Sequence, residues 1–251
     1  MIWTVICLTK SQRSEKDDSE EITMSIRDNV EEVKERIERA AMRSGRDPSQ
    51  IRIVAVSKTF PAERILEAIE AGITDIGENR VQEAEPKIAR IGDRVKWHMV
   101  GHLQRNKVKK ALNMFDLIHS LDSFRLLDEI EKRAAQMGKM TDVLVQVNTS
   151  GEETKYGISP DEVMRLVEAA SQREHVRVLG LMTIGPLVDD PEKARPSFIM
   201  LRRIKEEIEA AELPGIEMRY LSMGMTDDFE VAIEEGSNMV RIGRAIFGER
   251  R

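Results

Sequence analysis

The sequence predicts an α/β chain folded as a single (β/α)8 barrel. Three observations predict it. Strand-length runs alternate with helix-period runs until eight strands have been counted, and such alternation implies a parallel sheet. After Met24 no linker, low-complexity stretch or shift in composition divides the chain. The chain has 251 residues, a length that suits one closed barrel better than an open doubly wound sheet.

Each element follows from local pattern. Ile26, Val30, Val33, Ile37 and the pair Ala40 and Ala41 recur at helical spacing until Gly45, predicting a helix ahead of the first strand. The β-branched run 51–56 is the first strand; Pro61 opens the next helix and Gly72 stops it. A short strand at 74–77 precedes a helix over 81–91, a strand at 96–100 precedes a helix over 104–112, and a strand at 117–119 precedes a helix over 123–137. Residues 142–147 form the clearest strand, followed by a helix from Pro160 with Ser159 as its cap. A strand at 176–182 leads to a long helix over 191–211, a strand at 217–221 to a helix over 227–235, and residues 239–242 are the last strand.

Composition limits the function. Hydrophobic residues make up 41% and charged residues 33%, an ordinary globular profile with enough aliphatic side chains for one core. The net charge of −6 argues against a general nucleic-acid binder, whose phosphate contacts need a basic face. The lone cysteine, Cys7, makes no internal disulfide, which suits a reducing, cytoplasmic setting. The histidines form no metal-ligand motif. Residues 1–8 are apolar but too short to span a bilayer and lack the features of a secretory signal, so no membrane role is expected. Residues 1–23 are read as a disordered, dispensable extension, and 24–251 as one barrel domain.

In such barrels chemistry sits past the C-terminal ends of the strands. Lys58 directly follows the first strand; a desolvated lysine there can attack a carbonyl to form an imine, although lysines in such loops are mostly exposed. After the seventh strand, Ser222, Gly224 and Thr226 offer hydroxyls and a close backbone approach before a helix begins at about Asp227. After the eighth, Gly243 and Arg244 open a short helix. Loops at these two positions are the recurrent phosphate site of this barrel class, although each alone could be an ordinary helix start. Asp227 and Asp228 are read as first-turn residues that complement the helix dipole. A lysine and a phosphate seat sharing one mouth suit either a sugar phosphate in an imine-forming aldolase or pyridoxal 5′-phosphate (PLP). Arg241, two residues before Gly243, favours PLP, because PLP enzymes set an Asp or Arg against the pyridine nitrogen; the competing reading is a salt bridge to a barrel carboxylate.

Seven segments in order resemble the pyridoxal phosphate homeostasis family (YggS/PROSC). They are residues 55–59 (AVSKT), 76–83 (IGENRVQE), 97–107 (WHMVGHLQRNK), 147–157 (VNTSGE with KYG), 180–183 (GLMT), 221–227 (LSMGMTD) and 240–248 (VRIGRAIFG). The resemblance implies a TIM barrel like the N-terminal domain of alanine racemase. It implies PLP held as a Schiff base on Lys58, with Ser222, Gly224, Met225 and Thr226 on one side of the phosphate and Gly243 and Arg244 on the other. It also implies that Arg241 faces the pyridine nitrogen, with Asn79, His102 and Met182 near the ring. The family often has serine where Thr226 stands, which keeps the hydroxyl. The remaining candidates are read structurally: His98 as a satisfied core histidine, His175 as exposed, and Arg105, Lys107, Lys109 and Lys110 as a solvated helix face. His119 remains open between the two roles, and Tyr156 is expected only to pack in its loop.

Two classes compete, a PLP enzyme such as an amino-acid racemase and a carrier. Racemisation needs a second acid–base group on the opposite face of the cofactor. The chain stops soon after its last strand and has two tyrosines, Tyr156 and Tyr220, the latter expected to point outward. An arginine beside the ring nitrogen disfavours pyridinium and weakens the electron sink. These points favour a non-catalytic carrier that hands PLP to apo-enzymes by reversible imine exchange, and a monomer.

Overall fold

The computed structural model describes residues 25–152 and 154–249; the expected extension over 1–23 and Cys7 lie outside them. Helix α1 (Ile26–Arg43) precedes eight strand–helix units. These are β1 (Arg52–Val56) with α2 (Ala62–Glu70), β2 (Asp75–Glu78) with α3 (Val81–Ile91), β3 (Lys96–Met99) with α4 (Val108–Leu112), and β4 (Leu117–Leu121) with α5 (Phe124–Met137). They continue through β5 (Thr141–Gln146) with α6 (Val163–Ser171), β6 (Val176–Met182) with α7 (Arg195–Ala210), β7 (Ile216–Ser222) with α8 (Phe229–Glu234), and β8 (Met239–Ile242) with α9 (Arg244–Phe247). The strands close in sequence order into a barrel, β8 returning to β1 through the parallel pairs Arg52–Met239 to Ala55–Ile242.

Alternation along each strand divides the core into two layers. Val54, Val56, Val100, Leu117, Leu144, Leu179, Met182 and Met239 form one buried cluster inside the barrel. The intervening residues, among them Ala55, Ile76, Trp97, Ile118, Val143 and Val240, pack against the helices in a second cluster. Tyr220 packs with the inner cluster and lies beside Arg52 and Asp75 at the N-terminal end of the barrel, so it points inward where the sequence predicts outward.

Helix α9 is a single turn, too short to cover the seam between β8 and β1. Helix α1 fills that place: it packs on α2, α8 and α9 and buries Ile26, Val30, Val33, Ile37, Ala40 and Ala41. Asn29 Nδ2 donates to the Ile246 carbonyl at 2.9 Å, and Arg46 Nη1 donates to the carbonyls of Ile233 and Ser237 at 2.8 and 2.6 Å.

Several element ends differ from the sequence reading. The starts at Pro160 and Pro191 are 3₁₀ turns that pass into α6 and α7. Ser159 makes no cap, because its hydroxyl goes to the Glu162 carboxylate at 3.2 Å. Helix α8 starts at Phe229, two residues later than expected. Among the described residues no helix is long and apolar enough to cross a membrane.

Candidate functional site

A cavity of about 240 Å³ opens at the C-terminal ends of β1 and β8. Lys58, Asn79, Met225, Thr226, Arg241, Gly243 and Arg244 line it, together with apolar walls from Val56, Phe60, Val100 and Ile184. The register explains the meeting of Lys58 and Arg241. Val54 pairs with Arg241 across β1 and β8, and the two-residue alternation carries the inward face from Val54 through Val56 to Lys58. Lys58 is half-buried.

Lys58 sits in a tight turn. The Phe60 amide donates to the Ser57 carbonyl at 3.1 Å, and Thr59 takes φ of 69°, a strained value for a β-branched residue. Phe60 stacks on Phe247 of α9 with centroids 5.3 Å apart, tying this turn to the β8 rim. Beneath it lies a buried triad on the outward face of β2. Ser57 Oγ and Lys87 Nζ donate to Glu78 Oε1 at 2.5 and 2.6 Å, and Lys87 Nζ also donates to the Ser57 carbonyl at 2.8 Å. Burial pushes the Glu78 carboxyl up, against the pull of Lys87 and Ser57.

Arg241 is the buried floor of the cavity. Its Nη1 donates to the carbonyl and hydroxyl oxygens of Ser222 at 2.6 and 2.7 Å, and its Nη2 to the Thr183 carbonyl at 2.6 Å. Among the described residues no carboxylate forms an ion pair with it, so the salt-bridge reading is replaced by neutral acceptors. Burial lowers its pKa to about 10, opposed by the charge of Asp228. Two of the five guanidinium N–H groups, one of them on Nε, have no acceptor among the described residues.

The rim past β7 differs from the expectation for the aspartates. Asp228 Oδ1 accepts the Met225 amide at 2.6 Å and so ties the turn together, while burial pushes its carboxyl up. Asp227 is exposed and pairs with Arg244 across the rim instead of entering the first helical turn. The turn engages the amides of Met225, Asp228 and Phe229, while those of Thr226 and Asp227 meet no acceptor among the described residues.

Four predicted site residues do not line this cavity. Ser222 is fully buried below Arg241, where its hydroxyl is committed to that guanidinium and to His119. Gly224 faces α8: a Cβ on it would lie 2.7 Å from Ala232 Cβ, so glycine serves helix packing there, and its carbonyl accepts the Arg241 amide at 3.0 Å. Met182 is fully buried in the inner cluster with Val56 and Val100. His102 is exposed, bonds Asp122 at 3.2 Å and stacks on Tyr156 with centroids 4.0 Å apart, in a groove beside Asn79. His175 is half-buried against Glu131 rather than exposed. His98 and His119 are both buried and hydrogen-bonded to each other at 2.9 Å. Sequence reasoning missed Glu78 and Lys87; their spacing over a strand end and one helical turn was the available signal.

The barrel is of the class described as alanine racemase, N-terminal domain, whose family model matches residues 25–251. Within that class the chain belongs to the pyridoxal phosphate homeostasis protein family. It is 44% identical to the family member of Aquifex aeolicus over 91% of this chain and all of that one. It is 40% identical to the human member, over 87% of this chain and 84% of that one. Among solved structures it is similar to PipY of Synechococcus elongatus PCC7942 with PLP bound, at TM-score 0.74 and 35% identity, covering 86% of this chain and all of that one. An alanine racemase of Clostridium difficile 630 matches at TM-score 0.72 and 15% identity, over 90% of this chain and 57% of that one, which bears on the fold alone.

Proposed function

We propose that the protein binds PLP in the β1–β8 cavity as a Schiff base on Lys58 and serves PLP homeostasis in the cytoplasm, holding the cofactor and delivering it to apo-enzymes as a monomer. One observation carries the reading: Lys58, Arg241 and the Thr226–Gly243 rim open into the same cavity. The lining fits the group. Asn79 Oδ1 is buried with no hydrogen-bond partner among the described residues, an orphan that a polar ring substituent would satisfy. Arg241 has N–H groups left for a ring nitrogen. The Thr226 hydroxyl, the unengaged amides beside it and the Arg244 guanidinium suit a phosphate, for which Arg244 would exchange its Asp227 partner.

PLP, when bound, supplies an aldehyde that forms an imine with a primary amine. The protein's own residues do the rest. Lys58 offers the amine from a strained turn, Phe60 and Val100 exclude water from one wall, and Arg241 orients the ring while keeping its nitrogen unprotonated. That last feature weakens the electron sink that proton abstraction needs; a carrier loses nothing by it, whereas a racemase with the same arginine depends on a second acid–base group. Neither tyrosine lines the cavity: Tyr156 stacks on His102 and Tyr220 lies at the opposite end of the barrel.

Colour tests the reading. The protein loaded with PLP is expected to be yellow, to bleach with borohydride and to retain the cofactor mass on the Lys58 peptide, and Lys58→Ala is expected to stay colourless. A wild-type protein that remains colourless with excess PLP overturns the assignment. Delivery is tested separately: reactivation of an apo-enzyme no faster than from free PLP leaves storage alone, and Lys58-dependent racemisation of an amino acid restores the enzyme reading.

A further inference from the structure

We infer that Asp75, His98 and His119 are positioning residues for Arg241: with Ser222 they form one directed chain of hydrogen bonds through the barrel interior, anchored at its N-terminal end, that fixes the guanidinium in the cavity. The geometry of this chain is independent of the cofactor reading; its consequence for a ligand rests on that reading.

The chain occupies inward-facing positions that a barrel of this class ordinarily fills with branched aliphatics. Asp75 Oδ1 lies 2.9 Å from His98 Nε2, His98 Nδ1 lies 2.9 Å from His119 Nε2, and His119 Nδ1 lies 3.1 Å from Ser222 Oγ. Ser222 Oγ in turn accepts from Arg241 Nη1 at 2.7 Å. Five side chains from five strands thus connect the closed end of the barrel to the floor of the cavity.

The direction follows from the anchor. An ionised carboxylate accepts and never donates. Asp75 also accepts from Arg52 Nη1 at 2.8 Å and from Thr74 Oγ1 at 2.6 Å. Although burial pushes its carboxyl up, the hydrogen bonds from His98, Thr74 and Arg52 bring it down to about 2, so it is ionised at neutral pH. His98 must therefore carry a proton on Nε2.

With His119 neutral, two proton assignments remain for the rest. With one proton on each ring, His119 Nε2–H donates to His98 Nδ1, the Ser222 hydroxyl donates to His119 Nδ1, and every donor has an acceptor. With two protons on His98, His119 must carry its proton on Nδ1. Ser222 Oγ then receives both His119 and Arg241, and its own hydrogen has no partner at a residue with 0% exposure. Such an orphan bears the full desolvation cost of a buried donor with nothing to offset it, so the first assignment holds. Burial, helped by His98 and by the charge of Arg241, also pushes the His119 imidazole well below its usual range, which keeps that ring neutral.

The consequence falls on Arg241. A hydroxyl whose hydrogen is committed to His119 presents only lone pairs to the guanidinium. Three N–H groups are then held by Ser222 and Thr183, and the unspent ones have one pose in the cavity. The order is set at Asp75, which the cavity does not reach.

The test is long-range ¹H–¹⁵N correlation of the imidazoles in the PLP-free full-length protein at neutral pH. The expected wild-type result is a neutral Nε2–H tautomer at both His98 and His119. Asp75→Asn puts a carboxamide at the anchor, which can donate as well as accept. His119, which does not touch residue 75, is then expected to lose its single tautomer, while His175 beside Glu131 is unchanged. In the same variant PLP is expected to dissociate roughly tenfold more readily, the worth of one hydrogen bond. An imidazolium at His98 or an Nδ1–H proton on His119 in the wild type overturns the chain. An unaltered His119 tautomer or unaltered PLP dissociation in folded Asp75→Asn does so too. Should that variant not fold, Ser222→Ala is read instead: His119 Nδ1 is expected to shift on losing its donor while Nε2–H persists, and no shift overturns the chain. A wild-type protein with the expected tautomers that takes up no PLP overturns the cofactor reading and leaves the chain standing.

Discussion

Two backbone conformations hold the site at the scale of single residues. Thr59 carries its positive φ directly after Lys58, a strain of about 1–3 kcal/mol that the surrounding turn and the Phe60–Phe247 stack must offset. Gly224 takes φ of 92° with α8 close behind it: a Cβ there would lie 2.8 Å from the Phe229 Cα, and backbone cannot yield as a flexible side chain can. Gly224→Ala is therefore expected to destabilise the protein by about 3 kcal/mol in urea unfolding, from overpacking and backbone strain together. A variant as stable as the wild type would show that the β7–α8 turn can move. Position along a strand also separates roles that motif reading merges. Ser222, like Arg241, faces inward, but it lies below the guanidinium in the barrel and so supports it, while Thr226 reaches the rim.

Between elements, the join of β2 to α3 depends on one buried ion pair. Glu78 is fully buried, and its Oε2 finds no hydrogen-bond partner among the described residues. Lys87, from the second turn of α3, is its only cationic partner among the described residues. Lys87→Met is expected to cost about 3 kcal/mol in urea unfolding, because it leaves an uncompensated buried carboxylate; the double variant with Glu78→Gln is expected to recover much of that loss. Equal loss in single and double variants would rule out the charge as the cause. The same helix shows pattern prevailing over propensity. Pro86 lies inside α3 and cannot donate to the turn before it, yet the helix runs over Val81–Ile91 as its spacing predicts. The burial of Val81, Ala84 and Ile91 along one face outweighs the missing hydrogen bond.

For the molecule as a whole, the barrel is completed by the first helix of the described residues. With α9 reduced to one turn, α1 covers the seam beside β8 and supports the rim through Asn29 and the Ile246 carbonyl. Ile37→Ala, at a residue 4% exposed on the buried face of α1, is expected to cost about 3 kcal/mol in chemical denaturation. The same variant is expected to weaken cofactor retention, since α1 braces α8 and α9. A loss of stability below about 1 kcal/mol would mean that α1 is a loosely docked cover.

The sequence by itself determined the alternation of strands and helices, the closure into a barrel and the meeting of Lys58 with Arg241. Hydrophobic periodicity is local, and barrel closure then forces the first and last strands to be neighbours. Only the tertiary structure decided which polar residues face the cavity and which lie beneath it. The sequence places Ser222, Gly224, Met182 and His102 near strand ends, but register, close helix packing and the Tyr156 stack assign them elsewhere. The line from Asp75 to Arg241 was equally hidden, because hydrogen bonds between side chains on different strands leave no periodic trace along the chain.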